Sequence, residues 1–373
     1  MLIGIDFREA LGKRAGKGYY AYHLVSEILK QDKENQYVLY TSKPVHEFES
    51  HPNVLVKIIT KKSFLWHLAV LKHSYKENVQ VFFSPTSYII PALHNPQKIK
   101  VVMTVHDLVA FLFPEIHNKK ALFTERVFLK KALGKASRVF AVSLNTKRDL
   151  ITQFFIPNEL VSIVHNAASN NFKVMPHEEL KDFKRKNNLP EKFIFAAGTL
   201  EPRKNFTMLI RCFAQILKEF PDYKLIIAGS KGWYYDEIFT TAEELKLEDK
   251  VKFLGYVTEE ELIKLYNLAE IFVYPSLYEG FGIPPLEAMK CGCPVITSNT
   301  SSLPEVAGDA AIKINPKKEK ELTEAITKLL KNSDLKKELT RRGLEQCQKF
   351  SWEKSAQEAV KLFNKLDESS ETV

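Results

Sequence analysis

The sequence predicts an α/β protein with two doubly wound domains that face each other across a cleft. Short runs of β-branched and aromatic residues alternate with longer amphipathic segments along almost the whole chain. This alternation is typical of parallel sheets with helical crossovers. The chain has 373 residues, which is too long for one ordinary hydrophobic core and sufficient for two domains.

Each predicted strand is a short apolar run between polar or amphipathic segments. In doubly wound sheets, ligands bind at the carboxyl ends of the strands, so candidate functional residues are sought directly after each run. The predicted strands are Leu2–Ile5, Tyr37–Tyr40, Val54–Ile59, Val81–Phe83, Lys100–Val105, Val139–Val142, Val161–Val164, Phe193–Ala197, Leu225–Ala228, Val251–Leu254, Ile271–Tyr274, Val295–Thr297 and Ala311–Ile314.

A polar stretch of mixed charge over residues 170–192, which contains Pro176 and Pro190, interrupts the alternation and favours a linker. We therefore predict an N-terminal Rossmann-like domain over residues 1–170 and a C-terminal Rossmann-like domain over residues 171–350. Residues 351–373 are predicted to form a helix that has Ser351 as its N-cap and crosses back onto the first domain.

The composition indicates a soluble globular protein, with 45% hydrophobic and 27% charged residues. No run of eighteen apolar residues occurs, and the strand-like N-terminus lacks the basic region of a signal peptide. The four cysteines (Cys212, Cys291, Cys293 and Cys347) lack the spacing of a zinc site, so we expect reduced thiols in a cytoplasmic protein. The net charge of +9 favours an acidic partner, which could be nucleic acid, anionic lipid or a phosphorylated substrate.

The stretch Tyr274–Gly292 combines a strand end, a glycine loop and the start of a helix. Gly280 and Gly282 let the backbone approach a ligand closely, and the two prolines that follow are tolerated only in a first helical turn. Such a helix N-terminus offers N–H groups and a positive dipole end to an anion. The carboxylates Glu279 and Glu287 bracket this site, which indicates that the ligand also carries hydroxyl groups, such as those of a sugar.

Other strand ends of the second domain also carry glycine turns. In Gly198–Asn205, the adjacent cations Arg203 and Lys204 suit a diphosphate leaving group, and two solvated loop cations are the ordinary alternative. The turn that begins at Gly229 is expected to line the same crevice, and Gly255–Val257 follows the next strand.

Three strand ends of the first domain carry further candidates. Gly12–Gly18 holds glycines and three cations before a helix, which suits an anion, although a mobile basic loop explains it equally well. His106 lies at the carboxyl end of an apolar strand, where the alternative is a hydrogen-bonded structural histidine. Ser143 follows the next strand and is expected to cap a helix.

Two stretches of the first domain are basic and aromatic. Lys61–Lys76 has no acidic residue and carries apolar residues at helical spacing, and a second basic stretch covers residues 119–138. Helices of this kind suit an anionic lipid surface. The alternative is an ordinary crossover helix with a solvated basic face. The apolar positions of the first stretch are Phe64, Leu68, Leu71 and Tyr75.

Together these segments resemble the family-4 retaining glycosyltransferases of the GT-B fold, and among them the bacterial and archaeal mannosyltransferases of polysaccharide assembly. The resemblance covers nearly the whole chain. The spacing of Glu279 and Glu287 is specific in its context, Tyr-Glu-Gly-Phe-Gly-Ile-Pro-Pro-Leu-Glu. The motifs that carry the resemblance are Gly16–Gly18, His106–Asp107, Gly198–Asn205, Gly229–Trp233, Gly255–Val257, Glu279–Glu287 and Phe350–Trp352.

The resemblance implies a nucleotide diphosphate sugar as donor, bound mainly by the C-terminal domain, and a glycan or lipid-linked acceptor for the N-terminal domain. Glu279 would contact hydroxyls of the transferred sugar, and Glu287 would accept from the ribose hydroxyls. Arg203 and Lys204 would clamp the diphosphate, and His106 would face the reacting sugar. The other donor-binding positions implied by the resemblance are Gly16, Gly18, Thr199, Gly229, Tyr256, Val257, Gly280, Phe281, Gly282 and Ile283.

One position departs from the family pattern. Thr199 stands where many relatives have arginine, so the charge of the diphosphate would rest more on Arg203. The resemblance implies front-side attack by the acceptor hydroxyl, with retention of the anomeric configuration and proton transfer to a leaving phosphate oxygen. No Asp-x-Asp motif occurs, so we expect neither a metal ion nor another cofactor.

The expected donor is GDP-mannose, and the alternative is a UDP-sugar-dependent glucosyl-, galactosyl- or N-acetylglucosaminyltransferase of the same fold. A GT-B epimerase and a non-catalytic binder of sugar nucleotides are less favoured. A nucleic-acid-binding protein would explain the charge but not the paired glutamates, and no motif of that class occurs. We expect a cytoplasmic protein in peripheral contact with the anionic inner face of the cell membrane.

Overall fold

The computed structural model describes residues 1–12, 16–116 and 119–368, and each predicted strand is present in it. Several strands extend a residue beyond the predicted run because the flanking polar residue continues the ladder. The strands are β1 (Leu2–Asp6), β2 (Gln36–Thr41), β3 (Val54–Ile58), β4 (Val81–Ser84), β5 (Lys100–Val105), β6 (Arg138–Ala141), β7 (Val161–Ile163), β8 (Phe193–Ala197), β9 (Lys224–Ala228), β10 (Val251–Gly255), β11 (Ile271–Tyr274), β12 (Val295–Ser298) and β13 (Ala311–Ile314).

Helices connect most of these strands, and each helix in the described part of the chain is too short or too polar to cross a membrane. The helices are α1 (Gly16–Gln31), α2 (His46–Glu49), α3 (Ser63–Lys76), α4 (Ile89–Leu93), α5 (Val109–Leu112), α6 (Lys119–Leu133), α7 (Leu144–Phe154), α8 (His177–Lys186), α9 (Phe206–Ile216), α10 (Asp236–Glu244), α11 (Glu259–Leu268), α12 (Ile283–Lys290), α13 (Leu303–Ala307), α14 (Glu319–Lys331), α15 (Ser333–Gln346) and α16 (Trp352–Glu368).

The strands form two sheets in which all described pairings are parallel. The first sheet has the order β3-β2-β1-β4-β5-β6-β7, and the second has the order β10-β9-β8-β11-β12-β13. In each sheet the strand order reverses at one place, between β1 and β4 in the first sheet and between β8 and β11 in the second. This is the doubly wound topology predicted from the sequence, and ligands bind at such reversals, outside the carboxyl ends of the strands.

The chain divides into two compact units. The first comprises Met1–Pro114, Lys119–Asn166 and Ser351–Val373, and the second comprises Ala167–Phe350 together with Glu115–Asn118. The sequence placed the corresponding boundaries at residues 170 and 350.

Each unit has its own apolar core. In the first unit, Trp66, Phe82 and Val101 are fully buried members of one cluster. In the second unit, one cluster joins β8 and β9 to α9 and α14. The four cysteines are buried and unbridged, as predicted.

The last helix, α16, packs on α1 within the first unit. Ser351 caps it, because its side chain accepts a hydrogen bond of 3.2 Å from the backbone N–H of Lys354. The Trp352 ring lies 5.8 Å from the Tyr20 ring, and the Ser355 hydroxyl donates to the carbonyl of His165 at 2.7 Å. Ser143 caps α7 as predicted, and its hydroxyl accepts from Thr146 N at 3.0 Å.

Candidate functional site

The loop between β11 and α12 lies where the strand order of the second sheet reverses. Gly282 is the N-cap of α12 and has φ 98°, a left-handed conformation that glycine adopts without strain. A Cβ at this position would lie 2.6 Å from Leu303 Cδ2, so a larger residue would also have to displace the end of that side chain. The two prolines stand in the first helical turn, which confirms the predicted helix start.

The Glu279 carboxylate is buried, with 7% of the residue exposed, and three side chains hold it. Its Oε1 atom lies 2.6 Å from Lys204 Nζ and 2.9 Å from the Tyr274 hydroxyl. Its Oε2 atom lies 2.7 Å from Arg203 NH1. Two predicted cations and one predicted carboxylate, which lie more than seventy residues apart in sequence, therefore meet in one cluster.

The charges of this cluster are mutually stabilised. Burial would raise the pKa of Glu279, but Arg203 and Lys204 outweigh it and lower that pKa to about 2. Burial lowers the pKa of Lys204, and the charge of Glu279 offsets part of this effect. The carboxylate is therefore ionised at every physiological pH and acts as an acceptor for hydrogen bonds.

Arg203 is held on two sides. Its NH2 atom lies 2.5 Å from Glu201 Oε1, and its NH1 atom donates to the Tyr278 carbonyl at 2.8 Å. Asn205 has the left-handed φ of 61°, and its amide donates to the carbonyls of Pro275 and Pro316. These bonds fix the turn after β8 against the loop after β11, so the guanidinium has a set position.

Glu287 has a different environment. It lies on α12, is buried and accepts a hydrogen bond of 3.0 Å from the Tyr266 hydroxyl. Burial raises the pKa of Glu287 to about 7, because the Tyr266 hydrogen bond compensates only part of the desolvation. The two glutamates of the motif therefore differ in pKa. The structure does not bring Glu287 into the cluster around Glu279.

The glycine turns after β8, β9 and β10 lie side by side. A Cβ on Gly229 would lie only 1.8 Å from the Gly198 carbonyl oxygen, and Gly229 N donates to the Gly255 carbonyl at 2.7 Å. The close approach of the Gly198 backbone is therefore sufficient to require a glycine at position 229. Thr199 is exposed beside these turns, and its Cγ2 would lie 2.8 Å from a Cβ on Gly232.

The other predicted donor-binding positions of the second unit differ in how exposed they are. Gly280 and Phe281 are buried, and the Phe281 ring packs edge-on against Phe350 at 5.5 Å. Tyr256 is 65% exposed after β10, and Val257 beside it is half-buried. Ile283, the first residue of α12, is also half-buried.

In the first unit, His106 follows β5 and is buried. Its Nε2 atom lies 2.8 Å from the Pro85 carbonyl, so a neutral ring donates this hydrogen bond, and its ring packs edge-on against Tyr20 at 4.7 Å. Burial, aided by the charge of Lys17, lowers the pKa of His106 to about 4. One ring nitrogen of His106 therefore has a hydrogen-bond partner within the protein, as the alternative of a structural histidine requires. The catalytic role of His106 stays a prediction.

The glycine loop before α1 is described only in part. Gly16 has φ 20°, and a Cβ on Gly18 would lie 2.3 Å from the Glu9 carbonyl oxygen. Packing against that carbonyl is a structural reason for Gly18. Lys13 and Arg14, two of the three cations predicted to bind an anion here, lie outside the described residues, and Lys17 forms an ion pair of 3.0 Å with Glu125.

Sequence reasoning did not single out several residues that shape the site. Glu201 lies two residues before Arg203, and Tyr274 and Tyr266 each hold one glutamate of the motif. A tyrosine at the carboxyl end of a buried strand has a hydroxyl that must find a partner, and this signal could have identified Tyr274. Ser302 was also missed; its hydroxyl lies within hydrogen-bonding distance of the Glu279 and Phe281 carbonyls.

The described residues contain no group of three His, Cys, Asp or Glu side chains that could hold a metal ion.

Two family models match the chain. The model described as "Glycosyl transferases group 1" matches residues 177–346, which include the cluster around Glu279. The model described as "Glycosyltransferase Family 4" matches residues 15–169.

Curated relatives and solved structures agree with these matches. The chain is 33% identical over 279 residues to the O-antigen chain mannosyltransferase B of Escherichia coli. The matched region covers 74% of this chain and 73% of that protein. It is 34% identical over 288 residues to the serotype-specific mannosyltransferase WbdA of Escherichia coli, covering 76% of this chain and 35% of that longer protein. The sucrose-phosphate synthase of Thermosynechococcus elongatus has a TM-score of 0.79 at 20% identity over 99% of both chains, which confirms the predicted GT-B fold.

Proposed function

The chain belongs to the group 1 glycosyl transferases of family 4, and we propose that it moves mannose from GDP-mannose to a glycan or lipid-linked acceptor hydroxyl with retention of configuration. The observation that carries this proposal is the buried cluster in which Arg203 and Lys204 hold Glu279. The same cluster offers fixed cations to a diphosphate and a permanently ionised carboxylate to sugar hydroxyls.

The relatives support the choice of sugar. The two curated relatives given above are, by name, an O-antigen chain mannosyltransferase and a serotype-specific mannosyltransferase. Within the matched regions, which cover 74% and 76% of this chain, the two relatives are 33% and 34% identical to it. Mannose is therefore the favoured sugar, and a polysaccharide is the favoured product.

The cluster explains how the sugar–phosphate bond would be weakened. As the bond breaks, negative charge accumulates on the diphosphate and positive charge on the sugar ring. Arg203 and Lys204 are pre-positioned donors for the first charge, and fixed donors of this kind need no reorganisation at the moment of reaction. Glu279, ionised because of the same two cations, would hold the hydroxyls of the sugar and favour its positive charge.

The acceptor hydroxyl would attack from the face that the diphosphate leaves, and a phosphate oxygen would take its proton. The bond to the acceptor oxygen forms as the bond to the phosphate oxygen breaks, so the anomeric configuration is kept. No protein nucleophile takes part in this scheme. The contributions of His106, Gly16 and Gly18 from the first unit stay predictions, as do those of Thr199, Gly229, Tyr256, Val257 and the backbone from Gly280 to Ile283.

A thermal-shift and turnover panel tests the donor. GDP-mannose at about a hundred times its dissociation constant should stabilise the protein by about 2.7 kcal/mol. Nucleotide release should persist in excess EDTA, because the two cations take the part of a metal in this scheme. UDP-glucose, UDP-galactose and UDP-N-acetylglucosamine should give smaller shifts. A larger shift with a UDP-sugar would overturn the choice of donor, and loss of release in EDTA restored by Mg²⁺ would overturn the metal-free scheme.

The first unit offers a surface for an anionic membrane. Phe64, Leu65 and Leu68 on α3 are 43%, 61% and 42% exposed. The exposed Lys72 and Lys76 lie on the same helix, which has no acidic residue. Exposed apolar residues flanked by lysines fit the interface of an anionic bilayer. The protein would then work in the cytoplasm at the inner face of the cell membrane, where lipid-linked acceptors are held.

On α6, Phe123 is 71% exposed and Val127 is 47% exposed, next to the exposed Lys130 and Lys131. The side chains of Lys119 and Lys120, also part of the predicted basic stretch, lie outside the described ones. This second helix adds to the proposed membrane surface.

A further inference from the structure

Each glutamate of the loop is held by one buried tyrosine. The Tyr274 hydroxyl lies 2.9 Å from Glu279 Oε1, and the Tyr266 hydroxyl lies 3.0 Å from Glu287 Oε2. Both tyrosines are almost fully buried, with at most 1% exposed. The two contacts are alike in chemistry, but they serve different glutamates.

Tyr274 has a second partner that Tyr266 lacks. Lys204 Nζ lies 2.6 Å from the Tyr274 hydroxyl oxygen and 2.6 Å from Glu279 Oε1. The three polar groups thus form a closed triangle in which each group contacts the other two. An ammonium can only donate, so the phenol oxygen accepts from Lys204 and donates its own hydrogen to Glu279.

The phenol keeps this arrangement at every physiological pH. Burial and the neighbouring Glu279 raise the pKa of Tyr274 well above its ordinary value. The hydroxyl therefore stays protonated. A neutral phenol can bridge the ammonium and the carboxylate without adding charge to the cluster.

The triangle limits where Lys204 can point. An ammonium has three N–H donors. Among the residues that the structure describes, two of them are directed at Tyr274 and Glu279. The third is left for a phosphate oxygen. Without the phenol, the ammonium could rotate about its flexible stem and would keep only the carboxylate as a fixed partner.

We propose that Tyr274 is a positioning residue for sugar transfer, which fixes Lys204 and Glu279 relative to each other in the geometry that the breaking bond requires. This inference rests on the proposed function of the cluster. Its effect is on the chemical step, because the residue acts through two groups that contact the reacting parts of the donor. Tyr266 acts through Glu287 alone, and so its effect is on donor binding.

The test compares Tyr274→Phe with Tyr266→Phe. Each change removes one buried hydroxyl that contacts a glutamate and keeps the ring. The rings remain packed, Tyr274 against Phe272 at 5.9 Å and Tyr266 against Phe195 at 5.3 Å. The assay is nucleotide release from GDP-mannose and from UDP-glucose with water as the acceptor. GDP and UDP binding by calorimetry and the thermal midpoint of each variant are measured alongside.

We expect Tyr274→Phe to lower kcat about tenfold, the effect of losing one hydrogen bond in the transition state, with KM and nucleotide affinity nearly unchanged. Tyr266→Phe should instead raise KM and weaken nucleotide binding, with kcat nearly unchanged. The thermal midpoint should fall in both variants, and somewhat further in Tyr274→Phe because its hydroxyl has two partners.

A wild-type kcat in Tyr274→Phe would overturn the inference, and so would the same rise in KM in both variants. A midpoint that fell much further in Tyr274→Phe than in Tyr266→Phe, with kcat recovered at lower temperature, would assign Tyr274 a structural role only. If the wild-type protein released nucleotide from neither sugar nucleotide, the proposed function itself would fall, and the inference with it.

Discussion

Glu279 and Glu287 belong to one motif, yet their surroundings give them opposite ionisation behaviour. Both are buried, so the difference comes from their partners. Two cations lower the pKa of Glu279 to about 2, whereas a single phenol leaves that of Glu287 raised to about 7. The first carboxylate is a fixed charge, and the second can change charge near neutral pH.

The raised pKa of Glu287 predicts a pH-dependent stability. A carboxyl group whose pKa rises on folding stabilises the protein below its unfolded pKa, and this stability is lost as the pH rises through the folded pKa. Between about pH 4.5 and pH 7, the free energy of unfolding should therefore fall by up to about 3 kcal/mol on account of this residue. Glu287→Gln should remove that fall, as measured by urea unfolding at pH 5 and pH 8. Parallel pH curves for the wild type and the variant would show that Glu287 does not titrate in this range.

Residue-level prediction from the sequence depended on distinctive chemistry and spacing. The adjacent cations Arg203 and Lys204 and the carboxylate Glu279 were identified, and the structure brings all three together. Glu201 was missed because an isolated acid carries no pattern, and Tyr274 was missed although its place at the end of a buried strand is a signal. The importance of Tyr274 also depends on its contact with Lys204, which lies 70 residues away in the sequence, and a sequence does not display such contacts.

At the scale of elements, the turns after β8 and β9 depend on glycine for packing. Gly229→Ala would place a Cβ 1.8 Å from the Gly198 carbonyl oxygen at φ 154°. We expect a loss of roughly 2–4 kcal/mol in the free energy of unfolding, measured by urea denaturation. The matched control is Gly255→Ala, where φ is 69° but no atom lies within 4 Å of the new Cβ, so only about 1 kcal/mol should be lost. Equal losses in the two variants would show that the close approach is relieved at little cost.

The apolar positions that the sequence showed at helical spacing on α3 divide between the core and the surface. Leu71 is buried as a core-facing residue would be, but Phe64 and Leu68 are 43% and 42% exposed. Trp66 and Val70 are buried in their place. The segment is apolar on more than one face, so spacing alone could not decide which side packs on the sheet.

The exposed side of α3 makes a prediction about membrane binding. The wild-type protein should float with vesicles that contain phosphatidylglycerol, and moderate salt should release it because lysines supply part of the attraction. Replacing Phe64, Leu65 and Leu68 by serine should abolish flotation. Phe155→Ser is the matched control, since Phe155 is 89% exposed at the end of α7 and lies outside the proposed surface. Flotation that survives the triple replacement, or fails in the wild type, would assign α3 an ordinary solvated face.

At the scale of the whole molecule, the fold was more predictable than the site. Parallel strands are buried on both sides, so each appears as a bounded apolar run, and all of the predicted runs became strands. A doubly wound topology includes a reversal of the strand order. Ligands bind at this reversal, and the glycine loops lie there, at the carboxyl ends of the strands. Hydrogen bonds between distant loops, such as Asn205 with Pro316, depend on the finished fold and had no signature in the sequence.

The central claim is that Glu279 serves the chemical step while Glu287 serves donor binding, and one comparison tests it most directly. Glu279→Gln and Glu287→Gln are assayed for sugar transfer and for GDP affinity; glutamine keeps the shape and avoids a cavity between the buried cations. Glu279→Gln should lose turnover by about a hundredfold or more and keep its GDP affinity within about threefold. Glu287→Gln should keep most turnover and lose GDP affinity. Full transfer activity in Glu279→Gln would contradict the account.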